Sequence, residues 1–228
     1  MLEDEHGDPA RVIVGPHHLE GLLGMPSQPK GIVIFAHGSG SGRFSPRNNY
    51  VARRLESAGF ATLLLDLLSA EEEADRRNVF DIDLLASRLI EATEWVRSMP
   101  RLASLPIGYF GASTGGGAAL AAAARMAPEV SAVVSRGGRP DLAGKSLPRV
   151  RTPTLLLVGG DDGEVIELNR WAMDRMQCPV ELHIVPRAGH LFEEPGTLDE
   201  VVAQAIRWFG QRLTEGAASE AELPLRAS

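Results

Sequence analysis

The chain has 228 residues and carries 23 Lys and Arg against 30 Asp and Glu, for a formal net charge of −7. This acidity argues against a general nucleic-acid binder, which carries a basic face. Apolar residues make up 44% and charged residues 23%, which is typical of one globular domain of this length. Cys178 is the only cysteine, which excludes an intrachain disulfide and a cysteine-based zinc cluster.

The chain lacks the sequence features of membrane or secreted proteins. Its apolar runs are short and interrupted, and none reaches the ~20 residues that a membrane span needs. Residues 1–5 are largely acidic and lack the basic-then-apolar layout of a signal peptide. We therefore expect a cytoplasmic protein without membrane contacts. One domain is predicted over residues 9–214, between flexible segments at 1–8 and 215–228. The oligomeric state has no signal in the sequence.

Short apolar runs alternate with longer amphipathic segments along the chain. Strands are predicted at residues 11–14, 18–23, 31–36, 61–67, 106–110, 130–134, 154–158 and 180–185. Helices are predicted at residues 48–57, 82–99, 113–126, 164–176 and 198–213, with a charged loop at 71–77. Repeated strand–helix alternation predicts an α/β fold, a mostly parallel sheet of about eight strands with helices on both faces. In such sheets functional residues follow the carboxyl ends of the strands.

The first functional candidate follows the third predicted strand. Residues 37–42 read His-Gly-Ser-Gly-Ser-Gly and are called the oxyanion loop below. A nucleotide-binding loop would need Gly-x-Gly-x-x-Gly or a Gly-Lys-Ser/Thr ending, and both patterns are absent here. A His-Gly turn instead suits a hydrolase, in which the N–H of Ser39 would point at the substrate carbonyl. His37 itself is predicted to be structural.

The nucleophile candidate is Ser113, which follows the strand at 106–110. Residues 111–115 read Gly-Ala-Ser-Thr-Gly and form the Gly-x-Ser-x-Gly pattern of a nucleophile elbow. The serine of such a turn is strained, and small residues two before and two after it avoid a clash with the backbone. Thr114 N–H would be the second oxyanion donor. The alternative is a small-residue cluster that lets a helix pack close to the sheet, but the strand–turn–helix context favours the nucleophile.

Acid and base candidates follow two later strands. Asp161 and Asp162 come after the strand at 154–158, and His190 comes after the strand at 180–185. The order serine, aspartate, histidine at successive strand ends is one in which Ser-His-Asp triads occur. His190 would be the general base. Because adjacent aspartates cannot both face one imidazole, only one of them can be the acid.

These motifs, in this order, resemble the α/β-hydrolase superfamily over residues 31–209. More narrowly, the chain is similar to the lidless dienelactone hydrolase branch at residues 37–42, 45–48 and 188–192. The resemblance implies an α/β-hydrolase fold. In this superfamily the acid commonly stands three residues after a glycine, and Gly159 then favours Asp162. Asp161 would be a turn or helix-capping residue.

The resemblance has one departure. Typical dienelactone hydrolases carry a cysteine nucleophile, whereas the elbow here holds Ser113, and Cys178 lies far away in the chain. This points to a general carboxylesterase. Only about twenty residues, 135–154, separate two strands at the place where lipases insert a lid. No large lid is expected, and an open site suits small, water-soluble esters or lactones.

The sequence therefore predicts a serine hydrolase that needs no metal or cofactor and forms an acyl-enzyme with an ester or lactone. Acyl transfer or perhydrolysis by the same triad is an alternative, as is a non-catalytic binding module on the same fold. Arg43 follows the oxyanion loop and Arg136 follows the strand at 130–134, and one or the other is predicted to help bind a carboxylate-bearing or otherwise polar substrate. The alternative for each arginine is a pair with one of the 30 acidic side chains.

Overall fold

The computed structural model describes residues 8–218, so most of the two segments expected to be flexible lies outside the described residues. The strands are β1 Ala10–Val14, β2 Leu19–Gly24, β3 Ile32–Ala36, β4 Ala61–Leu65, β5 Ile107–Ala112, β6 Val130–Arg136, β7 Thr154–Gly159 and β8 Val180–Val185. They form one sheet in the order β1-β2-β4-β3-β5-β6-β7-β8. The first two strands pair antiparallel with their neighbours, and β4 to β8 run parallel. The predicted sheet is confirmed.

Seven α-helices are described in residues 8–218. They are α1 Pro46–Ser57, α2 Ala70–Glu73, α3 Arg76–Val79, α4 Ile82–Ser98, α5 Thr114–Arg125, α6 Gly163–Met173 and α7 Thr197–Ala218. Helices α4 and α5 pack on one face of the sheet, and α1 and α7 pack on the other. The last helix ends at Ala218, five residues beyond the predicted end at 213.

The core explains why the central strands read as continuous apolar runs. Every residue of β3, β4, β5 and β7 is buried, because helices cover both faces. Helix α5 lies very close to the sheet, and a side chain on Gly115 would collide with the backbone of Ala36. The glycine- and alanine-rich sequence of α5 permits this approach, which places its N-terminus directly over the end of β5.

Two connections differ from their predictions or refine them. The charged loop expected at 71–77 is wrong, since α2 and α3 occupy it. Ser69 and Glu72 form a reciprocal capping box that starts α2, and Asp75 caps α3. The linker after β6 holds only a short 3-10 segment, Pro140–Arg149. Within the described residues, the β6–β7 connection therefore contains no large insertion.

Within residues 8–218, no helix combines the length and the apolar character needed to cross a membrane.

Candidate active site

Ser113 occupies a strained turn between β5 and α5. Its φ of 52° and ψ of −123° lie in a region that non-glycine residues rarely adopt. Such a conformation costs about 1–3 kcal/mol, so it persists only where the surroundings enforce it. A Cβ on Gly111 would lie 2.5 Å from Gly115 O and 2.6 Å from Gly116 Cα. The elbow therefore needs its glycines, as the sequence pattern predicts.

His190 and Asp162 form a hydrogen-bonded pair. His190 Nδ1 lies 2.7 Å from Asp162 Oδ2, and the Asp162 side chain is only 16% exposed. A carboxylate can only accept this bond, so Nδ1 carries the hydrogen and Nε2 is left to accept a proton. Asp162 is the N-cap residue of α6 and follows β7, and His190 lies in the loop after β8.

Asp161 is a turn residue and has a different role from its neighbour. Its backbone N–H donates to Ala188 O at 3.0 Å, which ties the end of β7 to the His190 loop. Its side chain contacts no hydrogen-bonding partner within the described part of the chain. The capping role considered for Asp161 is wrong, because Asp162 occupies the N-cap position of α6.

The turn after β6 brings the elbow and His190 together. Ser113 N donates to Arg136 O at 3.3 Å, and Arg139 N donates to Ser113 O at 3.0 Å. Gly137, on the same turn, lies against His190. A Cβ added to Gly137 would be 3.1 Å from His190 O and 3.6 Å from His190 Cε1. Among residues 8–218, Ser113 Oγ has no hydrogen-bond partner. Catalytic hydrogen bonds often tighten only when substrate is bound.

The oxyanion loop lies directly against Ser113. A Cβ on Gly38 would lie 2.9 Å from Ser113 Cβ and 3.7 Å from Ser113 Oγ. The next residue is Ser39, and Thr114 follows the serine. In the described chain the backbone N–H groups of Ser39 and Thr114 donate no hydrogen bond. Two unpartnered donors beside a serine oxygen are the arrangement that stabilises a developing oxyanion.

Both ring nitrogens of His37 are engaged. Leu67 N donates to Nε2 at 3.0 Å, and Nδ1 lies 3.0 Å from Gly38 O. The ring therefore has no nitrogen left for proton transfer with a substrate, which agrees with the structural role predicted for it.

The two candidate arginines lie in opposite electrostatic settings. Arg43 forms ion pairs with Asp66 and Glu20, and its guanidinium stacks 4.4 Å from the ring centre of Phe44. The Arg43 charge is thus compensated within the protein.

Arg136 pairs with no carboxylate among residues 8–218. It is 8% exposed, its Nη2 donates to Asn48 Oδ1 at 3.4 Å, and its Nη1 is buried without a hydrogen-bond partner in the same residues. Burial, and then the neighbouring charge of Arg47, lower the pKa of Arg136 to about 10. The sequence does not reveal that Arg43 is paired with carboxylates and Arg136 is not, because the partners of Arg43 lie on β2 and just after β4.

A cleft of about 840 Å³ runs along the oxyanion loop toward the β1–β2 turn. Its lining is rich in hydroxyl, imidazole and charged side chains, including His17, His18, Ser39, Ser41, Arg43, Ser45, Asp66 and Glu73. A much smaller cavity beside it, of about 10 Å³, is lined by Ser39 and Thr114 together with Leu68, Val79 and Leu85. Sequence reasoning missed Glu73 and Leu68, since it placed no site residue between β4 and α4.

Two further histidines pair with carboxylates. His17 Nδ1 lies 2.6 Å from Glu91 Oε2, and His183 Nε2 lies 2.7 Å from Glu200 Oε1. Over the described range, no group of three or more His, Cys, Asp or Glu side chains is arranged to hold a metal ion.

Comparison with known proteins identifies the family of this chain and supports its fold. The model of the dienelactone hydrolase family matches residues 19–215. A dienelactone hydrolase from Anabaena variabilis ATCC 29413 is 54% identical, with a TM-score of 0.88 over 92% of this chain and 99% of that one. Est1E from Butyrivibrio proteoclasticus, 15% identical, has a TM-score of 0.73 over 90% of this chain and 98% of its own, and shows the shared fold alone.

A protein of Mycobacterium tuberculosis is 59% identical over 208 residues, which is 91% of this chain. It carries the name "Putative phosphoribosyl transferase". The chain spans 46% of the length of that relative, so the name describes a protein about twice as long. The α/β-hydrolase fold expected from the motifs is confirmed by these solved structures.

Proposed function

The chain belongs to the dienelactone hydrolase family, and from this premise we propose that it cleaves small carboxylic esters or lactones as a serine hydrolase. Family and fold support a hydrolase. The narrower proposal, ester cleavage through an acyl-enzyme, rests on one observation above the others. Ser113, in a strained conformation at a helix N-terminus, is hydrogen-bonded to the turn after β6. The same turn lies against His190, which is hydrogen-bonded to Asp162.

Each proposed residue has one task in this reaction. Ser113 Oγ attacks the ester carbonyl carbon while His190 Nε2 takes its proton. Asp162 accepts from Nδ1–H and stabilises the imidazolium that forms. The negative charge on the carbonyl oxygen is held by the N–H groups of Ser39 and Thr114.

Collapse of the tetrahedral intermediate breaks the ester C–O bond, and the leaving oxygen takes the proton from His190. Water then attacks the acyl-enzyme with His190 again as the base, which releases the acid and restores Ser113. The described residues supply each of these groups, and the proposal includes no metal and no cofactor.

The strand order indicates how a substrate would lie. His190 follows β8 and must reach the leaving oxygen, so the leaving group points to the β8 side of Ser113. The acyl part then points the other way, toward the cleft between the oxyanion loop and the segment after β4. A cleft lined by hydroxyl and charged groups suits a polar, water-soluble acyl part, and no lid closes over it. We propose no nucleic-acid or membrane partner, and the cytoplasmic location stays a prediction.

Arg136 is the arginine proposed to meet an acidic substrate. A buried guanidinium with an unpartnered Nη1 would gain a charge-assisted hydrogen bond from a carboxylate. Arg43 already has two carboxylate partners, which supports a structural role for it instead. Of the two arginines predicted from the sequence to bind a substrate carboxylate, we therefore retain Arg136 alone.

Acyl transfer and perhydrolysis would use the same acyl-enzyme and differ only in the second nucleophile. Kinetics with 4-nitrophenyl acetate, with and without an added alcohol, separate hydrolysis from transfer. We expect wild-type turnover to yield free acid, and Ser113→Ala to lose at least about a thousandfold in kcat with an unchanged circular dichroism spectrum. A folded wild-type protein that is inert to this ester and to a serine-directed phosphonate would instead be a binding module.

A further inference from the structure

The hydrogen bonds of His37 fix which nitrogen of its ring carries the hydrogen. A backbone N–H can only donate, so the contact from Leu67 N makes Nε2 an acceptor. In a neutral imidazole Nδ1 then carries the hydrogen and donates to Gly38 O, 3.0 Å away. Ser41 N–H donates to the same carbonyl at 3.2 Å.

The carbonyl that His37 holds belongs to a peptide unit with a second task. Gly38 C=O and Ser39 N–H are the two ends of one planar trans peptide, so they point in opposite directions. When the carbonyl is fixed on one side, the N–H is aimed at the other. Ser39 N–H is the proposed oxyanion donor, and Gly38 itself lies against Ser113.

Side-chain packing does little to hold this peptide unit in place. Gly38 has no side chain, and Gly40 has a φ of 67° with open space around its Cα. Glycine-rich backbone rotates at little energetic cost unless hydrogen bonds restrain it. The loop is anchored instead to the chain after β4, where Leu67 N–H binds His37 and Asp66 Oδ1 accepts from Arg43 N at 2.6 Å.

We propose that His37 is a positioning residue which orients the Gly38–Ser39 peptide and thereby aims the Ser39 N–H at the oxyanion. The proposal rests on the hydrolase function proposed above. It assigns no proton transfer to His37. Its effect is expected on the rate of the chemical step, because the oxyanion exists only in the transition state and the tetrahedral intermediate.

Three substitutions separate the two hydrogen bonds of the ring. His37→Asn keeps a donor near the Nδ1 position, His37→Gln keeps an acceptor near Nε2, and His37→Phe keeps only the ring shape. We expect His37→Phe to lower kcat for 4-nitrophenyl acetate by about a hundredfold with little change in KM, the scale of one oxyanion donor. His37→Asn should stay within about tenfold of wild type, whereas His37→Gln should resemble His37→Phe.

The control is His183→Phe, which removes another half-buried, hydrogen-bonded histidine far from the elbow. It should leave kcat unchanged at a temperature where the protein is folded. Equal losses in His37→Asn and His37→Gln, or losses in KM alone, would overturn the proposal. If His37→Phe does not fold, the comparison of His37→Asn with His37→Gln decides.

Ser113→Ala, assayed in parallel, separates this proposal from the function on which it rests. An active Ser113→Ala enzyme would refute the serine mechanism. An inactive Ser113→Ala together with a fully active His37→Phe would refute only the positioning role.

Discussion

The two ends of the parallel sheet are built differently. At the amino end, Arg97 Nη1 donates to Ala103 O and Leu105 O, each at 2.8 Å, and its other nitrogens bind Glu129. Thr152 and Thr154, at the start of β7, also donate to backbone carbonyls. These side chains donate to backbone carbonyls near the starts of β5, β6 and β7.

The carboxyl end contains strain and unmet hydrogen bonds. Ser113, Arg187 and Phe192 have positive φ values of 52°, 58° and 55°. Near them, Thr114 Oγ1, Ser135 Oγ and Arg136 Nη1 are buried without a partner. A strained residue or an unpaired buried polar atom costs about 1–3 kcal/mol. The amino end of the sheet therefore stabilises the fold, whereas the carboxyl end is destabilising and keeps its conformation because the rest of the fold enforces it. If this contrast reflects function, substitutions at the two ends must have different consequences.

The largest effect on turnover is expected at the acid of the triad. Asp162→Asn should lower kcat by about a thousandfold or more, because the amide cannot stabilise the imidazolium and favours the wrong tautomer of His190. Asp161→Asn, one residue away, should change kcat by less than about threefold, since its side chain forms no hydrogen bond or ion pair within residues 8–218. Steady-state kinetics of the two variants provide the comparison, and equal losses would contradict the assignment.

Acidification should affect the carboxyl end in a defined direction. In the proposed mechanism His190 Nε2 must be unprotonated to accept the Ser113 proton, so kcat/KM should fall with acidification. The expected slope is about tenfold per pH unit. A pH profile that is flat from about 5 to 8 would show that the base is not a histidine.

A more moderate effect should distinguish the two arginines. Arg136→Ala should raise KM for an ester with its carboxylate on the leaving group, such as 4-acetoxybenzoate, by about tenfold while a neutral ester is little affected, because β6 lies on the β8 side of Ser113. Arg43→Ala should affect both esters alike, because it breaks ion pairs with Asp66 and Glu20 and loosens the loop. An equal response of both esters to Arg136→Ala would make that residue structural too.

The smallest effect on turnover is expected at the amino end. Arg97→Leu removes donors from Ala103 O and Leu105 O and should lower the free energy of unfolding by about 1–3 kcal/mol. The kcat of the folded fraction should not change, since the residue lies at the opposite end of the strands from Ser113. Urea unfolding together with kinetics tests this, and a loss of kcat without a loss of stability would remove the contrast between the ends.

The sequence predicts local features of this molecule well. The central strands follow from continuous apolar runs, and the elbow follows from glycines that only a tight turn requires. Gly59, which has a φ of 89°, ends α1 as its pattern indicates. Strands, turns and helix ends depend on residues close together in the chain, so the local sequence pattern is enough to predict them.

Pairings between distant segments were not predictable in this way. Arg43 and Arg136 read alike in the sequence, but only Arg43 meets carboxylates, on β2 and after β4. Likewise His37 binds Leu67, thirty residues away along the chain. The helices α2 and α3 were missed because their apolar content is low and their N-terminal capping residues, Ser69 and Asp75, flank a charged run.

The central claim is that Ser113 is the residue acylated during turnover. Wild-type protein treated with a serine-directed phosphonate, then digested and analysed by mass spectrometry, tests this without any assumption about the natural substrate. We expect one adduct, located on Ser113 by fragmentation, absent in Ser113→Ala and formed more slowly in Asp162→Asn. An adduct on another residue, or an enzyme that hydrolyses the test ester while Ser113 stays unmodified, would contradict the account.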